Sequence, residues 1–472
     1  MKTLLAAICF VLLVDPPVSS RDKHQIFINE TVFLRPGAEA RVDQHAVDVN
    51  TIPLPASVEK RDGEWLWVGT AWVREKDLMK PREAVEYYTE QTRIKPEDAI
   101  LWRNLGAAWQ NARVVEGTDR ALKCFAEALR LDPNDAWTYS VRAEIWSYQQ
   151  KYEDAIRDIT EALRLKPKEA ELYSKRGDIR MRSRQFAAAI EDYDRAIELA
   201  PTRSAFYDDR ANVRQWVGDL DGEISDYLVV MRLCEGDPAE EHRYSHAFNI
   251  VASIYATWPE DQYRDGEKAL RIAKKAYEIS SADTKPRGFE EPDVLEIVAH
   301  AAAEAGDFDE AINWTRQALK WWQKDPYEGP ESQSWRETKA YYTARIEQFK
   351  QKKPYRDPKR CDEIAWAKAT CPTEKYRDGK RALELATKAC ELSEWKKQSY
   401  LVTLAAAYAA TGNFDKAIEW EQKAKDMIVD DEPDANPKSP DSPVSYRQPA
   451  AELRAESEAR LNKYRDKQTI CE

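Results

Sequence analysis

Glycine is scarce in this chain, 15 of 472 residues. Phosphate-cradling loops and dinucleotide fingerprints need several glycines at fixed spacing, and none is found. Histidine is rarer still, with five residues. That leaves little for metal sites or His-dependent catalysis, and no GxSxG, HExxH or Cys/His zinc spacing occurs. Positive charge is not in excess either: 72 Lys and Arg stand against 84 Asp and Glu, a net charge of −12. Such a chain offers no basic field for a phosphate backbone, so nucleic acid is not an expected partner. Beyond Val14 no stretch approaches the roughly 20 apolar residues of a spanning helix, and no membrane-spanning segment is expected.

What is present points to helices. Charged residues make up 33% of the chain, and 16 Trp and 22 Tyr are too many for disorder. The length exceeds one ordinary core and implies several domains or a repeat array. At the start, Lys2 precedes the apolar run Leu4–Val14, and Val18-Ser19-Ser20 gives a small-residue end. This pattern reads as a secretory signal over residues 1–20, too short for an anchor. The expectation is an exported, periplasmic or otherwise extracytoplasmic protein, soluble after cleavage. Six cysteines follow it (Cys124, Cys234, Cys361, Cys371, Cys390 and Cys471), none at CxxC spacing, and buried small-hydrophobe duty is expected for most.

A 34-residue period runs through the first half. Pro133, Pro167 and Pro201 repeat at that interval, as do Tyr139, Tyr173 and Tyr207, and Ala128, Ala162 and Ala196. Ala121, Ala155 and Ala189 precede each proline by twelve residues. Fixed self-similarity of this length marks a helix-turn-helix array, in which small residues let two helices approach, aromatics fill the gap, and Pro ends the second helix. At these residues the chain resembles the tetratricopeptide repeat (TPR) family. The resemblance extends back to Pro81, Ala84, Tyr88 and Pro96, and through Trp102, Leu105, Gly106 and Trp109. It implies a half repeat plus four repeats over 81–240. The last of these departs from the pattern: Glu223 stands where a small Ala belongs and no Pro closes it, so looser packing is expected there. Arg142, Arg176 and Arg210, each followed 16 residues later by Asp158, Asp192 and Asp226, are expected to form struts within each repeat rather than a row of ligand-binding arginines.

The second half is duplicated. Residues 256–280 return as 369–393 with 14 of 25 positions identical, and a further hairpin follows each copy. The expected modules are 246–352 and 361–430, then a Pro-rich acidic linker over 431–449 and a terminal capping helix over 450–468. Tyr263-Arg264-Asp265-Gly266 and Tyr376-Arg377-Asp378-Gly379 precede helices, where Asp caps and Gly turns. His242 and His246, four apart, are expected to be solvated rather than metal-bound, since two further ligands would have to come from elsewhere.

Residues 24–78 lack helical periodicity and alternate as strands do, with Asp62-Gly63 as a hairpin turn. Trp65 and Trp67 share one strand face, Leu66 and Val68 the other. The run “GEWLWVGTAWVREKDL” resembles a bacterial SH3-like small barrel, on this hairpin alone, and such barrels bind peptides or wall material. Trp65, Trp67 and Trp72 are therefore candidate ligand residues, although a core role is favoured in so small a domain.

The fold expected is mainly α: a right-handed α-solenoid of TPR hairpins after a small all-β SH3-like barrel. The function expected is a non-catalytic protein–protein interaction scaffold holding a peptide or helix in the concave groove. The family resemblance places Arg103, Gln110, Trp137, Glu144, Tyr148, Asp178, Asp208, Asn212 and Trp216 toward that surface. Their acidic and aromatic mix predicts a partner segment with Lys or Arg and apolar anchors. The Lys/Asn set that clamps a terminal carboxylate in chaperone-binding relatives is not evident. The alternative is an envelope protein whose small barrel holds cell-wall material while the repeats act as spacer. No cofactor, metal or catalytic residue is expected.

Overall fold

The structure is a computed structural model that describes residues 31–35, 38–42, 45–47, 55–281, 291–322, 333–428 and 450–471. The expected signal at 1–20 and the linker at 431–449 lie outside the described residues. Contacts divide the chain into two compact units, Met1–Pro167 and Lys168–Glu472.

The first unit opens with eight short strands: β1 (Thr31–Leu34), β2 (Ala40–Val42), β3 (His45–Val47), β4 (Ala56–Ser57), β5 (Lys60–Asp62), β6 (Trp65–Trp67), β7 (Trp72–Arg74) and β8 (Leu78–Met79). Among the described residues they form two antiparallel sheets, β4-β1-β8 and β3-β2-β7-β6-β5, not one closed sheet. The turn at Gly63 is left-handed (φ 59°), and across it Arg61 pairs with Leu66; across the next turn, at Gly69, Leu66 pairs with Val73 and Trp67 with Trp72. Leu66 and Val73 are buried with Val32, Val58 and Val68. That aliphatic set fills the core, so the tryptophans are not needed there. Trp65, Trp67 and Trp72 lie half-buried on the opposite face, where Trp67 and Trp72 meet edge-on with centroids 5.6 Å apart. The expected core role for them is replaced by a place on an outer, aromatic face.

Five helices complete this unit: α1 (Pro81–Ile94), α2 (Ala99–Asn111), α3 (Gly117–Leu131), α4 (Ala136–Tyr148) and α5 (Tyr152–Leu165). Phe33 and Met79 share a buried cluster with Ala84, Tyr88, Leu105 and Phe125, which ties the strands to the first helices. The helices pair as the period requires. Gly106 is what lets α2 lie on α3, since a Cβ there would sit 2.6 Å from the Phe125 ring.

The second unit continues with α6 (Ala170–Arg182), α7 (Phe186–Leu199), α8 (Ser204–Trp216), α9 (Leu220–Cys234) and the short α10 (Pro238–Arg243). One copy of the duplicated module follows as α11 (Ser245–Thr257), α12 (Gly266–Ser281), α13 (Glu291–Glu304), α14 (Phe308–Trp322) and α15 (Gln333–Lys350). The other comprises α16 (Pro358–Thr370), α17 (Gly379–Leu392), α18 (Gln398–Ala410), α19 (Phe414–Asp426) and α20 (Ala450–Arg465). In both units consecutive helices pair as hairpins and hairpins stack on hairpins, the arrangement of an α-solenoid. The Arg–Asp struts form as two-pronged bridges: Arg142 with Asp158 at 2.6 and 2.8 Å, Arg176 with Asp192 at 2.7 and 3.0 Å, and Arg210 with Asp226 at 2.6 and 3.0 Å. Asp265 and Asp378 cap their helices through the amides of Lys268 and Arg381. The glycines after them serve close approach rather than a turn, because a Cβ would meet Ala305 N at 2.5 Å or Ala410 O at 2.7 Å.

The two copies do not follow one another in line. α11 stacks on α9 through Tyr227, Val230, Phe248 and Val251. α16 then returns to the same place, with Cys361, Ile364 and Ala365 packed against Leu220, Ile224, Ile254 and Trp258. Both modules therefore spring from the α8–α9 hairpin. Glu223, the residue that breaks the repeat pattern, explains how. It is 1% exposed, and both its oxygens bind Arg360 of the second copy, Oε2 at 2.5 Å. The expected loose packing is instead a docking point.

Candidate functional site

The helical repeat sets which side chains leave the hairpins. Positions on one helix face recur every three or four residues, so in the second unit Ser174 and Asp178 of α6, Asp208 and Asn212 of α8, and His246 of α11 fall on one shared face. The second helix of each hairpin then reaches across to fix them. Tyr193 of α7 donates its hydroxyl to Asp178 Oδ1 at 2.6 Å, and Tyr227 of α9, 34 residues on, donates to Asn212 Oδ1 at 3.1 Å. Burial and the neighbouring Asp178 keep the Tyr193 phenol protonated, as a donor must be.

Three carboxylates meet here. Asp208 Oδ1 lies 2.7 Å from His246 Nε2, and Asn212 Nδ2 donates to Asp208 Oδ2 at 3.5 Å. Asp209, which the sequence reading missed, accepts from Ser174 Oγ at 3.5 Å and forms no ion pair among the described residues. Burial first, then the charges of Asp178 and Asp208, push its carboxyl up to about 7. The only signal for it was a departure from the repeat, since Val141 and Lys175 occupy its place in the two preceding hairpins. A cation placed among these carboxylates would offset the repulsion that, after burial, raises the Asp209 carboxyl.

The other candidates fall differently. Trp216 ends α8, 52% exposed, with its ring stacked 6.4 Å from that of Phe186. In the first unit, Arg103 lies 3.5 Å from Asp135 and 5.5 Å from the Trp137 ring centroid, and Trp137 packs edge-on against Phe125, so both serve hairpin stacking. Gln110 and Glu144 are half-buried and Tyr148 is exposed. The structure thus brings Asp178, Asp208 and Asn212 together, and joins Arg103 to Trp137 in a separate contact. In the β sheet of the same unit, the Arg41 guanidinium lies 3.9 Å from the Trp65 centroid, on the face that carries Trp67 and Trp72. Among the described residues no three His, Cys, Asp or Glu side chains have a metal-binding arrangement, and the six cysteines are unbonded, all buried except Cys471. No described helix is long and apolar enough to cross a membrane.

Residues 147–204 match the tetratricopeptide repeat family, and the chain carries such repeats. No curated protein matches it. Among solved structures, it is similar to YrrB, a TPR protein described as having an unusual peptide-binding site, at 23% identity over 42% of this chain and 95% of that one, with a TM-score of 0.32. A second is PilF of Pseudomonas aeruginosa, at 16% identity over 55% of this chain and 99% of that one, TM-score 0.35. A third is a tetratricopeptide repeat protein of Parabacteroides merdae, at 14% identity over 56% and 92%, TM-score 0.34.

Proposed function

We propose that the chain is a non-catalytic interaction scaffold that holds an extended, basic segment of a partner protein on the face shared by α6, α8 and α11. The observation that carries this reading is Asp209, a half-buried carboxyl beside Asp178 and Asp208 with no cation paired to it among the described residues. A lysine or arginine side chain is the ligand group that fits, and main-chain groups of an extended segment suit the neighbouring Asn212. The apolar run before Asp15 supports placing this activity in an exported compartment. The test is binding of basic, neutral and acidic synthetic peptides to the full chain and to the Asp208→Asn/Asp209→Asn variant. Basic peptides should bind preferentially, and the double variant should lose about thirtyfold in affinity, the lower range for unpairing a buried charge. Equal binding of acidic peptides, or full binding by the variant, would sink the reading.

A second reading concerns the small β unit. Arg41, Trp65, Trp67 and Trp72 form a half-exposed aromatic face opposite its core. This favours a ligand held by stacking, such as wall material or a peptide on an SH3-like domain. Retention on isolated cell wall that is lost on replacing Trp67 and Trp72 with alanine would support it, whereas unchanged retention would exclude this face.

A further inference from the structure

Where the second module folds back, it closes a cavity of about 230 Å³ against the end of the face just described. Gln215 of α8 and Asn249, Ile250 and Ser253 of α11 form one side, Trp258 lies behind them, and Asp357 and Arg360 of the returning chain complete the wall. The wall is fixed: the Asp357 amide donates to Thr257 O at 3.1 Å, and Arg360 is held by Glu223. Asp357 is occupied in capping α16 through the Lys359 amide at 2.9 Å. With those charges engaged, the lining is apolar and amide-like, and Asn249 Oδ1 is buried with no hydrogen-bond partner. The volume falls below the roughly 300–1,000 Å³ of clefts that take a whole small molecule, so a single side chain is the matching occupant.

Cavity and carboxylates belong to one track. Asp208, Asn212 and Gln215 follow each other along one side of α8, and His246, Ile250 and Ser253 along one side of α11. From Asp208 to Gln215 is seven residues, about 10 Å of helix at 1.5 Å each. An extended segment covers that distance in about three residues. We infer that the cavity takes a large apolar side chain of the same partner segment whose basic residue enters the carboxylate cluster. The recognised sequence is then a Lys or Arg with Leu, Ile, Met or Phe about three residues away, with an N–H of the segment on Asn249 Oδ1. This rests on the reading of the carboxylate face as a basic-segment site. It adds the second anchor, its chemistry and its spacing, and makes the duplicated module a wall of the binding site.

The test is selection from an oriented peptide library, with one fixed arginine and every other position randomised, on the full chain. The parent protein should enrich large apolar residues about tenfold at a position about three from the arginine, the scale of burying one such side chain. Ser253→Phe, which fills the cavity from α11, should erase that enrichment while leaving the requirement for arginine intact. Asn249→Leu provides a second variant with little added volume and should weaken retention at all positions. Arginine-dependent retention with no apolar preference, or an apolar preference that survives Ser253→Phe in a chain of parental circular dichroism, overturns the inference and leaves the basic-segment reading standing. No arginine-dependent retention at all overturns both.

Discussion

A single carboxyl makes the proposed site sensitive to pH. In the unfolded chain Asp209 titrates near 3.8, and in the folded one burial and its acidic neighbours raise it to about 7. Between these values the native state holds a proton that the unfolded state has released, so stability falls as pH rises through the window and the cost is fully present above 7. A basic ligand reverses the preference, because it binds the ionised form. Affinity should therefore rise from pH 5.5 to 8, by up to about tenfold per unit below the Asp209 titration. Titrations of a basic peptide should show this slope in the parent, and Asp209→Asn should remove the part that belongs to Asp209. A slope unchanged by that substitution would place the titrating group elsewhere. Gly177 bears on the same site from behind. A Cβ there would stand 2.9 Å from the Tyr193 ring, whose hydroxyl holds Asp178. Alanine gains up to about 1 kcal/mol of helix propensity, but overpacking a seated ring costs about 1–3 kcal/mol. The steric term wins, and Gly177→Ala should lower the melting temperature and weaken peptide binding together.

At the scale of elements, the docking of the second module is written in departures from the repeat. The second residue after the first helix of these hairpins adopts a left-handed conformation at 34-residue intervals: Gln150 (φ 61°), Arg184 (φ 61°) and Gly218 (φ 67°). Only at 218 is it glycine, and there Ile364 and Ala367 of α16 approach to 3.3–3.4 Å of a Cβ position. Five residues on, Glu223 replaces the repeat alanine and binds Arg360. Gly218→Gln restores the side chain of the earlier repeat, yet should destabilise by about 1–3 kcal/mol through overpacking. Arg360→Ala should cost about 1–3 kcal/mol by leaving the buried Glu223 carboxyl, which burial pushes up to about 7 even beside Arg360, without its partner. Chemical denaturation measures both, and near-parental stability in Arg360→Ala would show that the pair is not what fixes the module. The hairpins themselves were legible in sequence, because small, aromatic and proline positions recur in register and each contact is local. Glu223 and Gly218 were visible only as irregularities. Their partners lie more than a hundred residues away, and no periodicity links them. The tryptophans of the β hairpin were legible as to face but not as to side, since alternation separates Trp65 and Trp67 from Leu66 without saying which set is covered. Asp209 was hidden by its neighbour, because a helical pattern fitted to Asp208 leaves the next residue a third of a turn away.

For the second unit as a whole, branching changes what truncation does. In a linear solenoid each hairpin contacts only its neighbours, so removing the last ones subtracts their share and leaves the remainder near its own stability. Here the last module is not last in space. α16 covers Leu220, Ile224, Ile254 and Trp258, and Cys371 packs against Phe186, Val213 and Val217. A chain ending at Lys350 would uncover this apolar surface in the middle of the helical array and strand the Glu223 carboxylate without Arg360. Exposing several large side chains at about 1.5–3 kcal/mol each outweighs what a terminal hairpin contributes in a linear array. The truncated chain should therefore lose amide hydrogen-exchange protection in α8, α9 and α11, far from the cut, with α13 and α14 affected less. It should also self-associate through the uncovered face. Protection lost only next to the cut, in α15, would mean that the second module is an appendage and that the array keeps its core without it.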